Sequence, residues 1–432
     1  MHLRQRSYLL IVLTAVCAIV ATWSGAPDLE LLWRIPAILL LGGLAFEAFF
    51  VARLSIKAGV ESAPRALLGR PFSAVLAFAN SASRAVVVQY WPLVPPGFEV
   101  EPGVRYVTAP SKDVGRDILT LLPVGLGQQA WPSIPARVLG PLGLAWWSRE
   151  LHLRQQIAVS PDVSRTSRTR PRGNPAGSRA RRSVGAGSEL HQLREYAAGD
   201  PLSRIDWKAT ARSRRLVTRE FSEDQHLDIV IVVDASRFSR VRAGRLDRLG
   251  LYANIASRFA EIATPNDDRV GLLVYSDRVL AVSPPERGLP AVTRLRRAFE
   301  SLSVESAEPD ITAAAVRIRG MLRHRGLIVW LTDLGDELVG EQLARAVRLL
   351  SPPHLVVMAG VHNTEIAELA RKEAKDVDDP WVALAAQEHE ARAVARSALL
   401  RRQGTPVVAV REELLEQAVL DEYERLRRAR RV

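Results

Sequence analysis

The 432-residue chain exceeds one typical domain, so two or three folded units are expected. Its formal net charge of +12 is nearly all arginine, since lysine stands only at Lys57, Lys112, Lys208, Lys372 and Lys375, and such a balance suits either nucleic acid or the anionic face of a membrane. A single cysteine, Cys17, excludes a disulfide framework or a cysteine-based zinc site within the chain. With no P-loop lysine motif and no HExxH helix, any nucleotide hydrolysis would have to come from another protein.

From Ser7 to Pro27 no side chain is charged, which is about the length of a membrane-crossing helix. A second run, Ile35 to Ala52, carries only Glu47, and a short connector with Asp28, Glu30 and Arg34 joins the two. Residues 1–53 therefore read as a transmembrane helical hairpin. Arg4 and Arg6 before it, with Arg53 and Lys57 after it, place both termini of a multi-pass protein in the cytosol, and Trp23 and Trp33 near the far interface. Glu47, close to a helix end, is expected to reach that end's interface.

Residues 54–162 break into short β-rich runs (AVLAFAN, AVVVQYW, GFEVEP, DILTLLP, LHLRQQIAV) between turns rich in Gly, Pro, Asn and Ser, which predicts a β-sandwich-like domain. No cluster of titratable groups stands out there, so a spacer or docking role is expected. Residues 163–185 form an arginine-rich linker: the stretch 164–183 holds seven arginines and no acid. It reads as a linker that also touches lipid, with nucleic acid the alternative.

Beyond Asp228 strands and helices alternate, from the continuous apolar strand DIVIVVD to PVVAV and a C-terminal helix. That pattern predicts a doubly wound, Rossmann-type α/β domain within 186–432, making the chain as a whole α/β in class. Ligands in such folds bind beyond the carboxyl ends of the strands.

Two strands end in aspartate, Asp234 and Asp333. If they are neighbours, Asp234, Ser236 and Asp333 converge as hard-oxygen ligands for Mg²⁺. This stretch resembles the von Willebrand factor A (vWA) fold, whose first loop reads DxSxS and whose metal-dependent adhesion site (MIDAS) lets a partner's acidic side chain complete the ion's shell. The chain departs from that pattern at Phe238, where the second serine belongs, and the threonine of the loop before the fourth strand is not evident, Asp310 standing nearby instead. The site is thus degenerate. The competing reading is that Asp234 and Asp333 cap loops or pair with arginines.

The densest motif lies upstream, in GSELHQLREYAAGDPLSRIDWKATARSRRLVTREF, residues 187–221. It resembles the signature of the bacterial "domain of unknown function 58" family: G-x-E, then R-E-Y-x-x-G-D, then R-x-I-D-W-K-x-x-A-R. The matching positions are Gly187, Glu189, Arg194, Glu195, Tyr196, Gly199, Asp200, Arg204, Ile205, Asp206, Trp207, Lys208, Ala211 and Arg212. The resemblance extends to the hairpin, the β domain with its GPLGLAWW stretch (140–147) and the vWA-like domain. It implies a membrane-anchored protein of the inner membrane working with a MoxR-type AAA+ ATPase. Physically, Arg194, Arg204 and Arg212 suit bidentate pairing with Glu195, Asp200 and Asp206 over the rings of Tyr196 and Trp207. That is either a clasp against the α/β domain or a docking surface for an ATPase or client.

These features together predict a non-enzymatic, membrane-anchored vWA-like adaptor that binds a MoxR-type ATPase, client proteins or both, for complex assembly or maturation. A cell-envelope scaffold without an ATPase is the alternative. A remote one is a Mg²⁺-dependent nuclease using Asp200, Asp206 and Lys208, although the acids stand too close in sequence for the usual geometry.

Overall fold

The computed structural model describes residues 1–24, 31–162, 183–185, 189–223, 226–335, 337–362 and 364–429. Asp28 and Glu30 of the expected connector, residues 163–182 of the arginine-rich linker and Gly187 of the signature lie outside the described residues. The chain divides into two compact units, Met1–Pro161 with Phe299–Ser303, and the remainder from Asp162.

In the first unit, strand β1 (His2–Leu3) leads into helices α1 (Gln5–Ser24) and α2 (Arg34–Arg53). Both helices are long and apolar enough to cross a membrane. Eleven strands follow: β2 (Ile56–Glu61), β3 (Arg65–Leu67), β4 (Phe72–Asn80), β5 (Val86–Tyr90), β6 (Phe98–Val100), β7 (Arg105–Ala109), β8 (Val114–Pro123), β9 (Gly127–Ala130), β10 (Ile134–Leu139), β11 (Ala145–Leu151) and β12 (Gln156–Ser160). They form antiparallel sheets ordered β1-β11-β10-β5-β7 and β2-β4-β8-β6, plus a smaller sheet β3-β12-β9. Alternate residues of β4 are buried, as a strand with one face inward requires. Phe78 of β4 meets Tyr90 of β5 at 5.0 Å between ring centroids, so the two larger sheets share a core.

Glu47 departs from expectation. It is fully buried, and four donors converge on its carboxylate: the amides of Leu142 (3.0 Å), Leu144 (2.9 Å) and Ala145 (3.0 Å) and the Trp147 indole (3.2 Å). Only glycine fits at 140, because a Cβ there would lie 2.1 Å from the Glu47 carboxyl carbon. The side chain thus turns into the β10–β11 turn rather than toward an interface.

The second unit opens with a three-stranded antiparallel sheet, β13 (Ser183–Gly185), β15 (Val217–Glu223) and β14 (Glu189–Glu195), with helix α3 (Trp207–Ser213) inserted between β14 and β15. A six-stranded sheet follows, built from β16 (Asp228–Asp234), β19 (Arg269–Tyr275), β20 (Val279–Glu286), β21 (Leu327–Leu331), β22 (Leu355–Val361) and β23 (Val407–Val410); β17 (Arg242–Ala243) and β18 (Leu246–Asp247) make a short ribbon after β16. The order is β20-β19-β16-β21-β22-β23, parallel except for edge strand β20. From β16 the chain winds first to one side and then, at β21, to the other, which makes the junction of these strands the switch point.

Helices α4 (Arg248–Ala263), α5 (Gly288–Glu300), α6 (Ile311–Met321), α7 (Glu337–Leu350), α8 (Thr364–Leu369), α9 (Asp379–Arg402) and α10 (Glu412–Arg428) connect and follow these strands. Val230 and Val232 pack with Ile318 of α6 and Leu343 of α7 on one face, while Phe259 of α4 and Tyr423 of α10 stack at 4.8 Å on the other. Cover on both faces explains why β16 and β21 are continuous apolar runs without alternation.

Candidate functional site

Strands β16 and β21 are neighbours, with Val233 opposite Leu331, so the two aspartates do meet at the switch point. Asp234 is completely buried. One carboxylate oxygen accepts the Ser236 amide at 2.8 Å and the other the Thr332 hydroxyl at 2.8 Å, while the Ser239 hydroxyl donates to the Asp234 carbonyl at 2.6 Å. Burial pushes the Asp234 carboxyl above the usual range, against these hydrogen bonds, which pull it down. Asp333 accepts the Gly335 amide at 2.7 Å and forms an ion pair of 2.6 Å with Arg248, whose side chain is only 2% exposed.

Those partners decide the fit of Mg²⁺ to the expected ligands Asp234, Ser236 and Asp333. Both oxygens of Asp234 are engaged by the fold itself, and Asp333 already faces a full positive charge. The Arg248 guanidinium beside the two carboxylates offsets part of the negative charge that a divalent ion would need. The Arg248 charge makes this a weak set for Mg²⁺, and among the described residues no group of three or more His, Cys, Asp or Glu is arranged to hold a metal. Phe238 packs against the core cluster, and Asp310 caps α6 through the Ala313 amide at 2.8 Å. Arg248 was not read from the sequence, although a signal existed. It is the first residue of α4, where the helix dipole disfavours a cation, so it requires an acidic partner.

The signature forms an ordered platform. Arg194 grips Asp200 with two bonds, at 2.8 and 2.7 Å, and its Nε donates to Glu220, which is not one of the matching positions. The Arg194 hydrogen bonds, then the Ala197 amide, hold the Asp200 carboxyl below the usual carboxylate range, with half-buried Arg204 adding to the effect. Asp206 caps α3 by accepting the Lys208 and Ala209 amides at 3.0 and 2.9 Å, and its carboxyl too is held low, first by the Ala209 amide. Glu195 pairs with Arg215 at 2.9 Å rather than with a signature arginine. Asp200 and Asp206 are therefore locked into separate local contacts, and with Lys208 they do not form the open acid pair a nuclease needs.

Ile205 is the residue that packs, at 2% exposure, and not Trp207. The Trp207 indole is 67% exposed and Leu202 is 68% exposed, which corrects the expectation that this ring lies beneath the ion pairs. Tyr196 is half-buried, and Lys208 and Arg212 are exposed beside Trp207.

A six-stranded, mostly parallel sheet with helices on both faces defines the second unit as a doubly wound α/β domain. Residues 192–403 match the family described as "Protein of unknown function DUF58". The uncharacterized protein Rv1480 of Mycobacterium tuberculosis and the uncharacterized protein Mb1516 of Mycobacterium bovis are each 24% identical over 187 residues, 43% of this chain. The matched region spans 58% of the length of those relatives. Among solved structures, the SpRpn10 VWA domain is similar at 14% identity with a TM-score of 0.29, over 45% of this chain and 95% of its own. Proximal thread matrix protein 1 of the mussel byssus, with a zinc-occupied MIDAS motif, is similar at 13% identity with a TM-score of 0.27, over 45% of each chain. The fold assignment rests on the strand order rather than on these two likenesses.

Proposed function

We propose that the protein is a membrane-anchored adaptor whose signature platform docks a protein partner, a MoxR-type AAA+ ATPase or a client that such an ATPase remodels, without itself catalysing a reaction. The observation that carries this reading is the exposed Trp207 indole on a rigid, capped helix. An aromatic left in water on an ordered element costs solvation and is characteristic of an interface anchor. The nearby acids are consumed internally, so the exposed cations of this helix and its end, Lys208, Arg212 and Arg214, leave the platform basic and suited to an acidic partner surface. The apolar hairpin supplies the anchor, and the domain's location on the side of Arg4 and Arg53 follows from the charge rule.

The test is affinity capture of the full chain from detergent extracts, wild type against Trp207→Ala. Loss of an interfacial anchor costs about 2 kcal/mol or more, roughly a thirtyfold drop in affinity. Recovery of an AAA+ ATPase by the wild type, with strong loss in the variant, is expected. Equal recovery by both would remove Trp207 from the interface, and absence of any ATPase from both would sink the adaptor reading.

A further inference from the structure

The Gly140–Ala145 turn leaves no backbone amide to water. All five of its amides are engaged: those of Leu142, Leu144 and Ala145 by Glu47, that of Gly140 by the Ala145 carbonyl at 3.0 Å, and that of Gly143 by the Gly140 carbonyl at 3.0 Å. The N-terminal segment also closes the carbonyls of Leu142 and Leu144, and Arg84 donates to that of Pro141 at 3.3 Å. Arg6 donates to Leu142 at 2.9 Å, and the Arg4 amide (2.8 Å) and Ser7 hydroxyl (2.5 Å) donate to Leu144. Hydrocarbon demands this accounting, because an unpaired backbone group there costs several kcal/mol; a turn facing water does not need it.

The position of the turn agrees. Glu47 lies six residues inside the Arg53 end of α2, about 9 Å along the helix axis at ~1.5 Å per residue. Leu144 packs deeper still, so close to Gly43 that a Cβ there would lie 2.6 Å from its Cδ1. The side chain that the turn shows outward is apolar: Leu142 is 44% exposed. At the Arg53 end of α2, a recess of about 290 Å³ is lined by Phe46, Phe49, Phe50, Leu54 and Ala82 together with Arg53, an apolar wall with a cation as a phospholipid would meet it.

We propose that the Gly140–Ala145 turn is a lipid-embedded wedge, sunk into the leaflet on the Arg4 and Arg53 side and made soluble in hydrocarbon by Glu47. This rests on the membrane-anchored reading of the hairpin. The wedge fixes the β domain against the bilayer, and the ligand class it meets is the acyl chain just below the headgroup.

The test uses the full chain in a Cys17→Ser background, reconstituted in phospholipid vesicles. Single cysteines Leu142→Cys, Phe46→Cys and Glu101→Cys carry a polarity-sensitive fluorophore, and the vesicles carry nitroxides on the headgroup or along the acyl chain. Phe46 is an exposed residue of α2 and reports the span, while Glu101 precedes β7 at the end away from Ala109. The expected result is that the Leu142 probe, like the Phe46 probe, loses more fluorescence to acyl-chain than to headgroup nitroxides. Quenching at Phe46 without acyl-chain quenching at Leu142 overturns the wedge and leaves the span standing. No quenching at either overturns the anchoring, and the wedge with it. Acyl-chain quenching at Glu101 as strong as at Leu142 also overturns the proposal, since the label itself would then be seeking lipid.

Discussion

Arg248 occupies the position that decides what the switch point does. A buried guanidinium is costly unless paired, and this one pairs with Asp333 at 2.6 Å, a carboxylate that a metal site would instead offer to an ion. Removing either member deprives the other of its opposite charge, at about 3–5 kcal/mol for a buried pair, whereas removing both costs far less. Arg248→Met and Asp333→Asn are therefore each expected to lower the thermal midpoint strongly, and the double variant to recover most of the loss. Wild-type protein should show no bound Mn²⁺ by electron paramagnetic resonance, and its midpoint should be the same in EDTA and in Mg²⁺. Additive losses in the double variant, or a bound Mn²⁺ that Asp234→Asn abolishes, would restore the metal reading. The sequence made the two aspartates and their convergence legible, because both end apolar strands. The cation beside them was hidden, since its role comes from a helix start fourteen residues beyond the strand.

At the scale of elements, the α/β unit was readable because a strand covered on both faces shows itself as an unbroken apolar run such as DIVIVVD or LIVWL. The β domain was readable only in part. Strands β10 and β11 escaped notice because AWWSREL mixes exposed charges with aromatics and has little alternation. Glu47 was misjudged for a related reason: its partners lie 95 and more residues downstream, and no local pattern announces a pairing so distant in sequence. Trp207 was misplaced because an aromatic within an ion-rich motif reads as a packed ring, while Ile205 two residues earlier takes the buried position. The nest around Glu47 makes a sharp prediction for Gly140→Ala. The added methyl would stand 2.1 Å from the carboxyl carbon, so the side chain must leave and three amides lose their acceptor. At about 1–3 kcal/mol for each unsatisfied group, the first unit should lose several kcal/mol. Its thermal midpoint in detergent should fall, and proteases should cut the β10–β11 turn. Glu47→Ala should reproduce that loss, and the pair together should be no worse than either alone. An unchanged midpoint in Gly140→Ala would mean that the carboxylate is not what holds the turn.

For the whole molecule, the proposed anchoring makes charge the guide to orientation. Arg4 and Arg6 flank the start of the first apolar helix and Arg53 and Lys57 the end of the second, and Arg34 is the one basic residue between them. Basic residues within reach of the bilayer are retained on the cytosolic side, so both termini are expected there. The prediction is read with a membrane-impermeant maleimide on single cysteines in a Cys17→Ser background. Leu32→Cys, in the connector and 38% exposed, should be labelled on intact spheroplasts. Val316→Cys, on α6 and 60% exposed, should be labelled only in inverted vesicles. The opposite pattern would do more than reverse the topology. An α/β domain outside the cytosol could not meet an ATP-driven partner, because ATP is supplied on the inner side. The basic platform around Trp207 would then have to serve an envelope component, and the scaffold reading would displace the adaptor. Labelling of Val316→Cys from both sides would break the link between hairpin charge and orientation, and with it the argument that Arg4 and Arg53 mark the face where the domain works.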